Sequence, residues 1–377
     1  MLTDSPQGDL TNDSSGVTLA FPRELRTASY LVPNSDGAVE EVTMAVELRR
    51  DPLTSRSGRL AHFQGFHLQR ADLSEVVLRS RQGCPFCPEL VLQATPLLPL
   101  AQAVDGRISR GEATLFPNLS PYDRHSVVVV LTEQHFLSPE QFTPTQIANG
   151  LEALQEYFRA LEPTSPGSFS LVTWNYMPLA GATQIHAHLQ GFSTDRPGNL
   201  LEQEVRSSRT FYDRHGQRYW DRLPFCEKKL GERFIAEAHH TTWLTAFVSK
   251  SVVSDLLVIF PRHRSLEELP ADAIHEFAAG LCAALRSLAD DGVVSFNLAL
   301  YPSPAGESDD HFRLHARLSP RIYFNPAILG SDTTAWHHLL EEPFMVRSPE
   351  QLATLLREPV SSALPDSAGP IAVKQTL

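Results

Sequence analysis

The sequence predicts an α+β protein built as two related halves, each an antiparallel sheet with packed helices. Three observations predict it. Two aliphatic runs, at residues 126–131 and 255–260, read as buried strands. Each is followed by an amphipathic helix and two more strands. The two closing strands also resemble each other, Ile185-His186-Ala187-His188-Leu189 against Leu314-His315-Ala316-Arg317-Leu318. A repeated element order with a repeated local motif reads as an internal duplication in which only the first copy keeps the second histidine.

The elements follow in order. Residues 1–20 are rich in Ser, Asp and Gly and read as a flexible N-terminus. In the first half, residues 21–205, the run Val127 to Val130 is a strand. The helix over 143–161 carries Ile147, Leu151, Leu154, Phe158 and Leu161 at 3–4 spacing. Residues 170–174 and the His186 segment are the next strands. In the second half, residues 206–357, the strand at 255–260 precedes a helix over 271–288 with Ile274, Phe277, Leu281, Leu285 and Leu288 on one face. Strands at 293–300 and 311–318 complete it. Residues 358–377, with Pro359, Gly369 and Pro370, read as a flexible tail.

Composition limits the function. Of 377 residues 42% are apolar, enough for a substantial core, and Lys+Arg 32 against Asp+Glu 44 gives a net charge of −12. That balance argues against a nucleic-acid partner, while a nucleotide needs only a local pocket. No apolar run approaches the roughly 18 residues of a membrane span. Met1 to Gly16 has no apolar core of a signal peptide, and four cysteines make no disulfide framework. A cytoplasmic enzyme is expected.

The chemistry concentrates in residues 181–191. Alternate residues of a strand share a face, so His186, His188 and Gln190 point one way and Ile185, Ala187 and Leu189 the other. A neutral imidazole can attack phosphorus or bind a metal. An amide beside it can donate to a phosphoryl oxygen without titrating. The backbone N–H groups of Gly181, Ala182 and Thr183 could cradle phosphate oxygens as a small nest.

Cys84-Pro85-Phe86-Cys87 is a C-x-x-C, whose thiolates can clamp a tetrahedral zinc ion. His125, opening the first strand, and His186 complete a Cys2His2 set. Two other readings of the cysteines stand beside it: a thioredoxin-like redox pair, which would head a helix in a βαβ unit, and a pair of unrelated buried thiols. His135, His263, His275, His239 and His240 read as surface or capping residues.

These motifs resemble the galactose-1-phosphate uridylyltransferase family, the transferase branch of the histidine-triad superfamily. The resemblance spans about residues 48–350. Arg49-Arg50-Asp51-Pro52-Leu53-Thr54 is similar to the family's N-terminal segment, Cys84-Pro85-Phe86-Cys87 to its zinc knuckle, and Arg124-His125-Ser126 to its zinc histidine and strand. Asn175, with Gly181-Ala182-Thr183 through Gln190, resembles the catalytic H-x-H-x-Q run, the most specific of the four.

The resemblance implies His188 as the nucleophile that takes a nucleotidyl group and Gln190 as the amide holding its phosphoryl oxygen. It implies Asn175 and Thr183 near the nucleotide phosphates, and Cys84, Cys87, His125 and His186 as zinc ligands. It further implies a nucleotide sugar and a sugar 1-phosphate as substrates, and a homodimer. Three departures bear on the substrate. Gln64 falls near an expected phosphate-binding arginine, for which Arg59 or Arg70 would substitute. Phe344 stands where a sugar-contacting glutamine is expected. Arg317 replaces a ligand of the second metal site some members carry, so Glu204 and His315 are expected to hold no metal. Two alternatives follow: a phosphorylase that uses inorganic phosphate on an ADP-sugar or a dinucleoside polyphosphate, and a non-catalytic nucleotide-binding zinc protein.

Overall fold

The computed structural model describes residues 12–13, 16–35, 37–61, 67–161, 167–306 and 310–365. Gln64 and the segments 1–11 and 366–377 lie outside them.

Ten strands form one antiparallel sheet. The first half supplies β1 Ile108–Arg110, β2 Ala113–Pro117, β3 His125–Val130, β4 Phe169–Tyr176 and β5 His188–Thr194. The second supplies β6 Phe234–Glu237, β7 Thr242–Thr245, β8 Leu256–Ile259, β9 Ser295–Tyr301 and β10 His315–Arg321. The order across the sheet is β1-β2-β3-β5-β4-β9-β10-β8-β7-β6. From either outer edge inward the order is the same, and the halves meet where β4 pairs with β9.

The register defines the relation between the halves. Thr173 pairs with Gln190, Ala299 pairs with Arg317, and Thr173 and Ala299 pair with each other. A local twofold axis therefore passes between Thr173 and Ala299. His188 lies opposite Val130, and His315 lies opposite Ile259. The counterpart of His188 is thus His315, and that of Gln190 is Arg317. This corrects the sequence alignment of the closing strands, which is two residues out. A shift of two preserves the face each side chain takes, so alternation cannot distinguish the registers.

Among the described residues five helices longer than two turns complete the body: α1 Pro144–Leu161, α2 Asn199–His215, α3 Tyr219–Leu230, α4 Ala271–Asp290 and α5 Pro349–Ala363. The Thr143 hydroxyl accepts from the Gln146 amide N–H at 3.3 Å, and Gln146 Oε1 accepts from Thr143 N at 3.1 Å, a reciprocal cap that starts α1. The apolar stripes of α1, α4 and α5 bury one face of the sheet, with Leu189, Trp174 and Leu298 among the strand residues beneath them. On the opposite face, Trp220, Leu223 and Cys226 of α3 cover Leu244, Leu257 and Ile259 of the second half. Phe86 and Val91 cover Phe116, Val128 and Val130 of the first. Between these two covers the face is half-exposed at Thr173 and Asn175 of β4 and at Asn297 and Ala299 of β9.

Described parts of the two expected loose ends, 16–20 and 358–365, adjoin the body. Val17 and Leu19 are buried, and α5 continues past residue 358 because Leu352, Leu356 and Val360 anchor it at four-residue spacing. A second sheet holds a long hairpin, Arg23–Pro33 and Val39–Arg50, with strand Ser57–Ala61 and the parallel Phe344–Met345. Its root is fixed by buried Arg49, which meets both oxygens of Glu350 at 3.0 Å. Among the described residues no helix is long and apolar enough to cross a membrane.

Candidate active site and metal centre

Among the described residues one cluster has ligand atoms close enough to share a metal ion: Cys84, Cys87, His135 and His186, all within 4.8 Å of one another. Nδ1 of His186 lies 3.7 Å from both sulfurs, and Nδ1 of His135 lies 3.4 Å from Cys87 Sγ. Tetrahedral zinc, with bonds of about 2.3 Å to sulfur and 2.0–2.1 Å to nitrogen, spaces such ligands by roughly 3.4–3.8 Å. The far nitrogens are also engaged: His186 Nε2 donates to the Thr132 carbonyl at 2.7 Å, and His135 Nε2 meets Ser80 Oγ at 2.9 Å. Both bonds leave Nδ1 free for a metal. Burial and the neighbouring Cys84 push the Cys87 thiol up to about 11, so a cation is what would ionise it. The donor set fits zinc.

The fourth member of the cluster is His135, not the expected His125. His125 opens β3 opposite Ser193, five residues from Val130, whose partner is His188. At about 3.3 Å per residue this puts it roughly 17 Å along the strand from the level of His188, and the cluster's His186 lies two residues further away still. His135 instead follows the other end of β3, where the chain passes His186. Antiparallel pairing carries this signal, since a strand entering the sheet at His186 meets the residues after Val130, not those before it.

His188 is 7% exposed. Its Nδ1 lies 2.8 Å from the His186 carbonyl, an acceptor, so Nδ1 carries the proton and Nε2 is the free lone pair. Burial pushes the His188 imidazole down, partly opposed by that hydrogen bond, and favours the neutral form. The C-x-x-C loop contributes a wall: Phe86 meets the His188 ring edge-on at 5.2 Å. Residues 84–87 therefore shape the surroundings of His188 as well as supplying thiols.

Gln190 lies one strand repeat beyond His188 on the same face. Its Oε1 accepts from Asn175 Nδ2 at 3.4 Å. Asn175 and Thr173 line a cavity of about 330 Å³ together with Asn297, Lys250, Arg317 and His337. The cavity straddles the local twofold axis, so both halves line it. Burial, then Arg56 and Arg317, brings the Lys250 ammonium down to about 8.

The turn before β5 differs from the expected nest. Gly181 N donates to the Pro178 carbonyl at 2.9 Å and Ala182 N to the Met177 carbonyl at 3.3 Å. Two of the three amides are thus committed to closing the turn, and Thr183 is exposed. Gly181 is needed for its φ of 90°, which a side chain rarely adopts.

In the second half His315 is fully buried, stacked between Trp220 at 3.9 Å and Tyr301 at 4.9 Å, with Glu204 3.3 Å from its Nε2. Arg317 pairs with Asp255 at 3.0 Å. Of the arginines considered for substrate phosphate, Arg59 pairs with Glu342 at 3.2 Å and Arg70 with Glu140 at 2.9 Å.

No family model matches the chain. It is 29% identical over 307 residues to an uncharacterized protein of Archaeoglobus fulgidus, covering 81% of this chain and 88% of that relative. Among solved structures it is similar to an ADP-glucose phosphorylase of Arabidopsis thaliana with bound ADP-glucose, at 16% identity and TM-score 0.64, covering 83% of this chain and 99% of that one. A GalT-like protein of the same plant matches at 17% identity and TM-score 0.63, covering 83% and 98%. A uridylyltransferase matches at 19% identity and TM-score 0.59, covering 84% and 99%. Two halves in one sheet, with H-x-H-x-Q opening the fifth strand, give this chain the fold of the GalT-like proteins and uridylyltransferases.

Proposed function

We propose that the chain is a nucleotidyltransferase of the histidine-triad type that works by two displacements through His188. The observation that carries this reading is the His188 imidazole: buried, disposed to be neutral, and with Nδ1 committed to the His186 carbonyl so that Nε2 is the nucleophile. In the first step the Nε2 lone pair attacks the α-phosphorus of a nucleotide sugar. The bond from phosphorus to the bridging oxygen breaks, and the sugar leaves as its 1-phosphate. In the second step an oxygen of an acceptor phosphate attacks phosphorus, and the P–N bond breaks with its electron pair returning to Nε2. Gln190 donates to the phosphoryl oxygen as charge develops there. Zinc held by Cys84, Cys87, His135 and His186 would fix the loop that carries Phe86 and the approach to His188. The protein works as a homodimer in this reading, which sedimentation tests. The chemistry is tested by intact mass after incubation with UDP-glucose or ADP-glucose, where a retained nucleotidyl group lost in His188→Ala supports it.

A specific observation favours inorganic phosphate as the acceptor. Phe344, aligned with the family's sugar-contacting glutamine, stacks on Phe324 at 6.1 Å and packs against His337 at 5.1 Å, so it offers a sugar hydroxyl no polar group. Lys250 in the cavity wall is suited to a small anion. On this reading the chain is a phosphorylase of nucleotide sugars, and release of nucleoside diphosphate with phosphate alone distinguishes it.

A further inference from the structure

A chain of hydrogen bonds crosses the local twofold axis from the second half to Gln190. At its far end buried Asp332 accepts from Arg321, whose Nε is 3.0 Å from both carboxylate oxygens and whose Nη2 is 2.6 Å from one. Arg321 Nη1 donates to Asn297 Oδ1 at 3.1 Å. Asn297 Nδ2 donates to the Ala180 carbonyl at 2.8 Å and to Asn175 Oδ1 at 2.7 Å. Asn175 Nδ2 donates to Gln190 Oε1 at 3.4 Å.

Elementary donor and acceptor chemistry fixes the direction of this chain. A guanidinium only donates, so Arg321 can meet only the oxygen of Asn297. A backbone carbonyl only accepts, so Ala180 can meet only its nitrogen. The two constraints are independent and agree on one orientation of Asn297. Asn175 must then present its oxygen to Asn297 and its nitrogen to Gln190. Gln190 presents its oxygen to Asn175, and its Nε2 protons remain for a ligand. Were Gln190 turned over, its carbonyl oxygen would meet a phosphoryl group gaining negative charge.

We propose that Arg321 and Asn297 are positioning residues that act through Asn175 to hold Gln190 with its NH2 group toward the phosphoryl group on His188. The half that lacks the nucleophile thus takes part in the reaction by setting the polarity of an amide in the other half. This inference rests on the reading of His188 as the nucleotidyl acceptor.

Asn297→Asp is the test. Aspartate keeps the shape and still accepts from Arg321, but it cannot donate to Asn175. Asn175 then turns over, and Gln190 after it. Adduct formation with UDP-glucose or ADP-glucose should slow roughly 10²–10³-fold, as for Gln190→Ala, with nucleotide affinity changed by less than about threefold. The double variant Asn297→Asp/Gln190→Ala should be no slower than Gln190→Ala alone, because both remove the same donor. Arg321→Lys, which keeps a donor-only partner, should stay within about tenfold of the parent. Losses that multiply in the double variant overturn the proposal. A second measurement needs neither a variant at 297 nor turnover. The Gln190 side-chain amide resonances, assigned by their loss in Gln190→Ala, should shift when inorganic phosphate or ADP-glucose is added. Absence of that shift on binding overturns the orientation. If it occurs while no adduct forms in the parent protein, the orientation stands and the covalent reading fails.

Discussion

His315 occupies in the second half the register position that His188 occupies in the first. Each lies opposite the last residue of the neighbouring strand, Val130 or Ile259, and each directs Nδ1 at the carbonyl two residues back, at 2.8 and 3.1 Å. What differs is the space above the ring. His188 meets Phe86 edge-on, whereas His315 is closed between Trp220 and Tyr301 and faces Glu204. The same backbone device thus serves a candidate nucleophile in one copy and a packed core residue in the other.

This asymmetry predicts the effect of His315→Ala. Removing a ring stacked on both sides, and leaving the Glu204 carboxylate without it, should cost on the order of 2–4 kcal/mol of stability. Adduct formation per folded molecule should stay within about threefold of the parent. Loss of adduct as complete as in His188→Ala, in a sample folded by circular dichroism, would overturn the division of labour between the halves.

The inner strands were legible because uninterrupted aliphatic runs mark them, and the helices because apolar residues recur at 3–4 spacing. Val127–Val130, Leu256–Ile259 and the helices with Ile147 or Ile274 lie where their patterns put them. The outer strands were not: β1 has three residues, and β7, Thr242–Thr245, is buried on both sides and has no alternation to read. At the candidate site, local spacing singled out Cys84, Cys87 and His186, which the fold brings together, and proposed His188 and Gln190. His135 and Asn297 owe their places to strand pairing across the sheet, and no local spacing encodes that. Arg321 shares this difficulty, since its partner Asp332 lies beyond the last core strand.

The metal prediction separates two histidines. The protein should hold about one zinc per chain. Cys84→Ser and His135→Ala should lower zinc content and thermal stability together, because the site ties the 84–87 loop and the 135 loop to β5. His125→Ala should keep the metal. Elemental analysis decides it: zinc lost in His125→Ala but retained in His135→Ala would return the fourth ligand to the start of β3.

Glu350 predicts a specific acid response. Burial would raise its carboxyl, but hydrogen bonds and charge from Arg49 and then Arg233 outweigh this and hold it at about 2. The free carboxyl titrates near 4.3. Because the folded value is the lower one, the stabilisation is present above pH 4.5 and is lost as pH falls toward 2. It should amount to roughly 2 kcal/mol after allowance for partial exposure. Urea midpoints for the parent and Glu350→Gln should differ at pH 6 and converge near pH 2. A gap that stays constant across this range would show that the Arg49–Glu350 contact is not what acid removes.

Lys250 gives the acceptor reading a pH signature. Its ammonium, held down to about 8 mainly by burial, loses its charge as pH rises through that value. If it binds acceptor phosphate, KM for phosphate should rise above pH 8 with kcat little changed. Lys250→Arg should keep phosphate affinity flat to pH 9.5, since guanidinium stays charged. A KM for phosphate that is unmoved by pH and by Lys250→Met would remove Lys250 from the acceptor site.

The covalent step itself gives the sharpest prediction. The lone pair of His188 Nε2 is free because Nδ1 is bonded to the His186 carbonyl, and burial favours the neutral ring. One equivalent of sugar 1-phosphate should therefore be released per active site when the protein meets a nucleotide sugar without acceptor. The protein should retain a nucleoside monophosphate through a P–N bond, labile to acid and stable to alkali, unlike an ester on serine or an acyl phosphate. His188→Ala should lose turnover but keep zinc and fold, since His186, Cys84, Cys87 and His135 are untouched. Gln190→Ala should still form the adduct, roughly 10²–10³ times more slowly, the usual effect of losing one donor aimed at developing charge. His188→Gly opens space for an added nucleotidyl imidazolide, which supplies the missing ring and should restore transfer to phosphate. Intact mass that stays at the parent value with UDP-, ADP- and GDP-sugars, together with no release of sugar 1-phosphate from any of them, would leave a nucleotide-binding zinc protein as the better account.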